Sequence, residues 1–184
     1  MKKIIYFTAS LLLTFVMASC SKDEVGGTVT QPAAGQWYVT YDCCDADGNV
    51  IEGGNDFNEG RSMVLTYNTV SDDGTQLYVD DLYNFLGFKG IANLNLQGLT
   101  FSTNGSVTNE NHDPEKGDYT DYVSDKITIS DGVIVKNGGK QKNGTVCDSI
   151  SFYVQYSQDA YATSNGYVKY FVHGVRYSGL AEND

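Results

Sequence analysis

The sequence predicts an all-β domain: an antiparallel meander of about eight strands closed as a barrel, with a β-sandwich as the alternative. Three observations predict it. No stretch after residue 35 carries a long apolar pattern at helical spacing. The apolar runs are instead rich in Tyr, Val, Ile, Thr and Phe, which fit a pleated, half-buried surface. Asx-Gly dipeptides punctuate those runs at Asp47-Gly48, Asp73-Gly74, Asn104-Gly105, Asp131-Gly132 and Asn143-Gly144, and both residues of such a pair tolerate positive φ in a tight turn.

Taken in order, the runs predict strands over Gln36–Asp42, Ser62–Asn68, Gln76–Asp81, Phe88–Asn95, Gly98–Thr103, Lys126–Ser130, Val133–Lys136, Ser149–Tyr156 and Gly166–Tyr177. Ile150, Phe152, Val154 and Tyr156 alternate with Ser149, Ser151, Tyr153 and Gln155, the clearest period of two in the chain. Asp131-Gly132, between two β-branched runs, reads as a hairpin turn, and Leu82–Gly87 reads as a brief helix at most. The polar, acidic stretch from Gly105 to Asp125 reads as an excursion loop. Gly174 interrupts the last strand, where a missing side chain permits close approach of another backbone or a ligand.

The barrel is preferred over the sandwich because closure removes the exposed edge that a long Tyr-rich last strand would otherwise present. The ends of the chain point the same way. Gly35-Gln36-Trp37 opens the first strand and Arg176 lies near the end of the last. In a closed meander those strands are neighbours, so Trp37 plugs one end with the Arg176 guanidinium stacked on its face. This Gly-x-Trp with a late Arg resembles the structural signature of lipocalins.

The address is read from the first residues. Lys2 and Lys3 precede an apolar run from Ile4 to Val16, too short for the roughly 20 residues of a membrane-spanning helix. Met17-Ala18-Ser19-Cys20 has the small residues that lipoprotein processing requires before an acylated cysteine. Residues 1–19 are therefore expected to be a signal peptide, residues 20–34 an acylated Cys20 with a flexible tether, and residues 35–184 one domain. Diacylglycerol plus an amide-linked chain suffices for anchoring, and an outer-membrane lipid anchor is expected, with surface and periplasmic display both open. Losing Lys2 and Lys3 takes the formal net charge from −11 to −13. That charge repels phosphate backbones and anionic headgroups, so nucleic acid is excluded as a partner and the membrane link is the acyl anchor alone. Of the other cysteines, Cys43 and Cys44 are adjacent; a bridge from either to Cys147 and three free thiols are both open.

A wider resemblance is carried by an ordered series: Gly35-Gln36-Trp37-Tyr38-Val39-Thr40, Thr66-Tyr67-Asn68-Thr69, Leu99-Thr100-Phe101-Ser102, Ile129-Ser130-Asp131-Gly132-Val133-Ile134, Cys147-Asp148-Ser149-Ile150-Ser151-Phe152 and His173-Gly174-Val175-Arg176-Tyr177-Ser178-Gly179. The series resembles a family of small bacterial lipoproteins labelled "lipid-binding putative hydrolase". The resemblance implies a lipocalin-like barrel and a small apolar ligand.

The residues supply little for catalysis. His173, Ser178 and Asp148 are the candidate triad, but no Gly-x-Ser-x-Gly elbow accompanies them, and a structural, hydrogen-bonded His173 is the expected reading. His112 falls in the polar loop. Asp45-Ala46-Asp47-Gly48-Asn49 has its Gly at position four, not six, and lacks the Glu of a calcium loop; the Cys and His residues show no zinc spacing. No cofactor or metal is expected. The abundant resource is aromatic: fourteen Tyr, eight Phe and one Trp. Tyr67, Phe101, Phe152 and Tyr170 are the candidates to line an interior that holds a lipid or other small hydrophobic ligand without chemistry. The same rings on an outer wall would suit a glycan-binding or adhesive surface protein, and a hydrolase is the second alternative.

Overall fold

A computed structural model describes residues 27–85, 87–113, 115 and 124–183. The expected signal peptide, residues 1–19, and Cys20 lie outside the described residues. Among the described residues nine strands follow in chain order: β1 (Gly35–Cys44), β2 (Phe57–Asn68), β3 (Gln76–Asp80), β4 (Lys89–Asn95), β5 (Thr100–Ser102), β6 (Val107–Thr108), β7 (Lys126–Lys140), β8 (Val146–Tyr156) and β9 (Lys169–Arg176). Each pairs antiparallel with its neighbours. Eight of them form a ring, since β1 pairs with β2 on one side and β9 on the other, while β5 pairs with β7. The two-residue β6 adds to β7 through Val107 and Ile127. The ring settles barrel against sandwich.

Alternation along the strands sorts the side chains. Trp37, Val39, Tyr41 and Cys43 of β1, Val64 of β2, Leu77 and Val79 of β3, and Phe152 and Val154 of β8 face inward and are essentially inaccessible to solvent. Trp37 lies directly opposite Arg176 in the β1–β9 ladder. The guanidinium carbon of Arg176 sits 4.4 Å from the centre of the Trp37 ring. The guanidinium also donates to Ala34 O at 2.9 Å and pairs with Asp148. Trp37 Nε1 donates to Thr66 Oγ1, which in turn donates to Ala33 O. The turn at 28–33 thereby lies against this end of the barrel, with Thr30 and Ala33 fully buried.

Two expected elements differ, and two short ones were not expected: β6, inside the stretch read as an excursion loop, and a helix. Asp131-Gly132 is no hairpin turn: β7 runs unbroken through it, and the pairing to β8 slips there, from Ser130 opposite Tyr153 to Val133 opposite Ser151. Asp131 takes a φ of 53°, so the left-handed tolerance of an Asx-Gly pair serves a β-bulge instead. A Cβ on Gly132 would lie 2.5 Å from the Phe101 ring and from Phe101 O, so the bare backbone is what lets β7 meet β5 and close the ring. Within the Leu82–Gly87 stretch no described residue is helical: 82–85 are turns and bends. A short helix instead spans α1 (Ala160–Asn165), capped by Asp159 Oδ1 accepting from Ala162 N at 2.7 Å and ended by Gly166 at a φ of 80°.

The connections are unequal. At the Trp37 end lie the short turns 69–75, 96–99 and 141–145. At the opposite end lie 45–56, the described residues of 81–88 and of 103–125, and 157–168 with its helix. The barrel is a cup whose floor is Trp37 and whose rim is long loops.

Candidate functional site

The rim end of the interior is aromatic. Tyr41 from β1, Tyr156 from β8 and Tyr170 from β9 turn inward near their rim ends, and Phe57, Phe85 and Tyr167 meet them from the rim. Phe85, from the β3–β4 connection, stacks on Tyr41 with centroids 4.1 Å apart and meets Tyr170 edge-on at 5.1 Å. Tyr156 meets Tyr170 edge-on at 5.8 Å. Below them Phe88 and Phe101 flank Phe152 at 6.0 and 5.7 Å.

The phenol groups divide into two sets. Tyr170 OH donates to Asp159 Oδ2 at 2.7 Å and lies 2.9 Å from Tyr167 OH, so Tyr167 supplies the proton of that second bond. Tyr41 OH and Tyr156 OH are buried with no hydrogen-bonding partner among the described residues. Burial, and then the charge of Asp81, hold both phenols well above their ordinary range; they stay protonated donors. An unmatched buried donor costs about 1–3 kcal/mol, so two in one interior call for an explanation.

Asp81 supplies the fixed structure around them. Its carboxylate is fully buried and accepts from the backbone N–H groups of Tyr83 (3.0 Å), Gly87 (3.0 Å) and Phe88 (2.9 Å). Leu82 and Tyr83 take positive φ of 54° and 58° inside that clasp. Burial pushes the carboxyl up to about 7 against the pull of those N–H donors. Asn109, also fully buried, ties the clasp to the far side of the rim, donating to Gly87 O and Ser124 O and accepting from Lys89 N. Beside α1 a cleft of about 450 Å³, lined by Tyr156, Asp159, Ala162 and Tyr167, opens at the rim.

Of the residues expected to line the interior, Phe101, Phe152 and Tyr170 do so. Tyr67 does not. It lies on the outer wall, stacked on Tyr78 at 5.1 Å with its hydroxyl on Asp80, because Thr66 is the β2 residue that turns inward to Trp37. His173, Ser178 and Asp148 are not brought together. His173 Nε2, on the outer wall, faces Asp42 Oδ2 at 3.1 Å and Thr40 Oγ1 at 3.2 Å. Ser178 Oγ accepts from Leu180 N and Asn183 Nδ2, and Asp148 holds Lys136, Arg176 and Asn137 N. Gly174 fills the role expected of it, since a Cβ there would overlap Tyr38 O across the β1–β9 ladder. All three described cysteines are free: Cys43 and Cys44 are buried and Cys147 is partly so. Burial pushes the Cys43 thiol up to about 11, with Tyr167 in hydrogen-bonding reach. Sequence reasoning missed Tyr41, Asp81 and Phe85. Counting by twos inward from Trp37 would have found Tyr41.

A family model described as "lipid-binding putative hydrolase" matches residues 22–181. The chain belongs to this family. No curated protein matches it. Within the family match, the barrel, its Trp37–Arg176 floor and its aromatic rim all lie inside the matched span.

Proposed function

We propose that this chain is a lipoprotein, anchored in the outer membrane through acylated Cys20, whose barrel binds a small hydrophobic or amphiphilic molecule without catalysing its turnover. The observation that carries the reading is the pair of partnerless, buried phenols, Tyr41 and Tyr156, set in an aromatic interior beneath long rim loops. Specific apolar sites combine a hydrophobic lining with a few placed polar groups, and this interior has that composition. The family's description, lipid-binding, agrees with it. The anchor rests on the Met17-Ala18-Ser19-Cys20 signal. The non-catalytic reading rests on the separate partners of His173, Ser178 and Asp148.

The described interior is filled by its own rings, so a guest must displace one. Phe85 is the ring to move, because it is only partly buried and belongs to a connection, not to the ladder. A glycan-binding wall is supported less well: Phe171 and His173 stack on each other at 5.0 Å, and Lys169 covers Tyr153 at 4.4 Å, which occupies ring faces that a sugar would need.

Native mass spectrometry of the purified full chain, exposed to a bacterial lipid extract, tests the proposal. A bound adduct of lipid mass is expected, with greater occupancy in Phe85→Ala, where the competing ring is gone. Unliganded protein in both forms would reject it.

A further inference from the structure

Resting on that reading, we infer that the guest carries an uncharged head with a hydrogen-bond acceptor, a carbonyl or hydroxyl, which docks on the Tyr41 and Tyr156 hydroxyls, and that fatty-acid anions are disfavoured. The electrostatics of the interior select the class. The two phenols are donors in want of an acceptor, and both hydroxyls are buried. The ionisable groups that share this end of the interior with them are acidic: Asp81, Asp159, the phenols of Tyr167 and Tyr170, and the Cys43 thiol. No Lys or Arg among the described residues turns inward here. Lys89 lies over Tyr78 and Lys169 over Tyr153 on the outer wall, Lys126 is exposed, and Arg176 is at the opposite end on Trp37.

A carboxylate head would therefore be buried near Asp81 with no cation to neutralise it, and an unpaired buried charge is far costlier than an unpaired hydroxyl. Asp81 is equally unsuited to recruit an ammonium head, because three backbone N–H groups already occupy its oxygens. A neutral carbonyl avoids both problems. It takes the place of the Phe85 ring against Tyr41 and brings into this interior an acceptor of the kind the buried phenols lack.

The test compares dodecan-2-one, dodecan-1-ol and dodecanoate of equal chain length, titrated into the purified full chain at pH 8 and read by native mass spectrometry. The ketone and alcohol are expected to bind at least about tenfold more tightly than dodecanoate. The Tyr41→Phe/Tyr156→Phe double variant, and Tyr156→Phe alone should the double variant lose its β-sheet circular dichroism, should erase about tenfold of the ketone's affinity. Dodecanoate binding as tightly as the ketone, or a variant that holds the ketone like the parent, overturns the inference while leaving a ligand-binding barrel intact. Failure of all three probes to bind overturns the inference and the ligand-binding reading together.

Discussion

At the scale of single residues, the two sets of phenols make opposite commitments to stability. Tyr156 OH is buried without a partner. Its removal should relieve a desolvation cost, so Tyr156→Phe is expected to raise the free energy of unfolding by roughly 1 kcal/mol. Tyr170→Phe takes away the 2.7 Å bond to Asp159 and the oxygen acceptor of the Tyr167 hydroxyl, for an expected loss of about 2 kcal/mol. Urea denaturation of both variants measures the contrast, and equal losses would mean that Tyr156 has a partner after all. The same scale shows what the sequence could express. Trp37 and Arg176 were legible because their places at the two chain ends make them neighbours in any closed meander. Tyr67 was misread because facing alternates by one residue, and the parity of β2 is set by the distant bond from Trp37 to Thr66.

At the scale of elements, most strands were legible because alternation and turn residues are local properties. The bulge in β7 was not. Asp131-Gly132 has the same left-handed chemistry in a hairpin and in a bulge, and only the approach of β5 decides between them. Helix α1 was missed because six residues give no helical period; its Asp159 cap and Gly166 stop are the signal it does carry. The bulge leads to a measurable expectation. Gly132→Ala drives a methyl against the Phe101 ring and carbonyl at the seam that closes the barrel, and Gly174→Ala does the same against Tyr38 O at the β1–β9 seam. Both should cost about 3 kcal/mol or more, from the class of overpacking against rigid backbone. Gly105→Ala, in an open turn with nothing near the added carbon, takes up only the strain of its φ of 70° and should cost about 1 kcal/mol. Thermal denaturation of the three variants reads the order, and a Gly132→Ala protein as stable as the parent would remove the bulge from the closure argument.

At the scale of the whole molecule, a closed wall puts acid groups where water cannot reach them, and this links stability to pH. The candidate site was the least legible part for the same reason: Asp80-Asp81 looks like any acidic turn until the ring buries Asp81 beneath the rim. Burial raises its carboxyl from an ordinary value near 3.8 to about 7 despite three backbone donors. The folded chain then binds a proton that the unfolded chain has released between about pH 4 and pH 7. The stability tied to that proton is fully present below about pH 4 and is lost as pH rises through about 7, for roughly 4 kcal/mol in all. Exposed carboxylates such as Asp45 and Asp73, held low by hydrogen bonds from Asn49 and Thr75, act in the opposite sense but have finished titrating by about pH 5. Between pH 5 and pH 8, the difference between the parent and a variant that cannot ionise at Asp81 therefore reports this proton. The parent is expected to lose stability across that range. Asp81→Asn cannot ionise, so it should be less stable than the parent at pH 5, where its amide meets backbone N–H donors, yet show a flatter profile above. Urea midpoints at half-unit pH steps provide the comparison; parallel profiles for the two proteins would place the buried proton elsewhere than on Asp81.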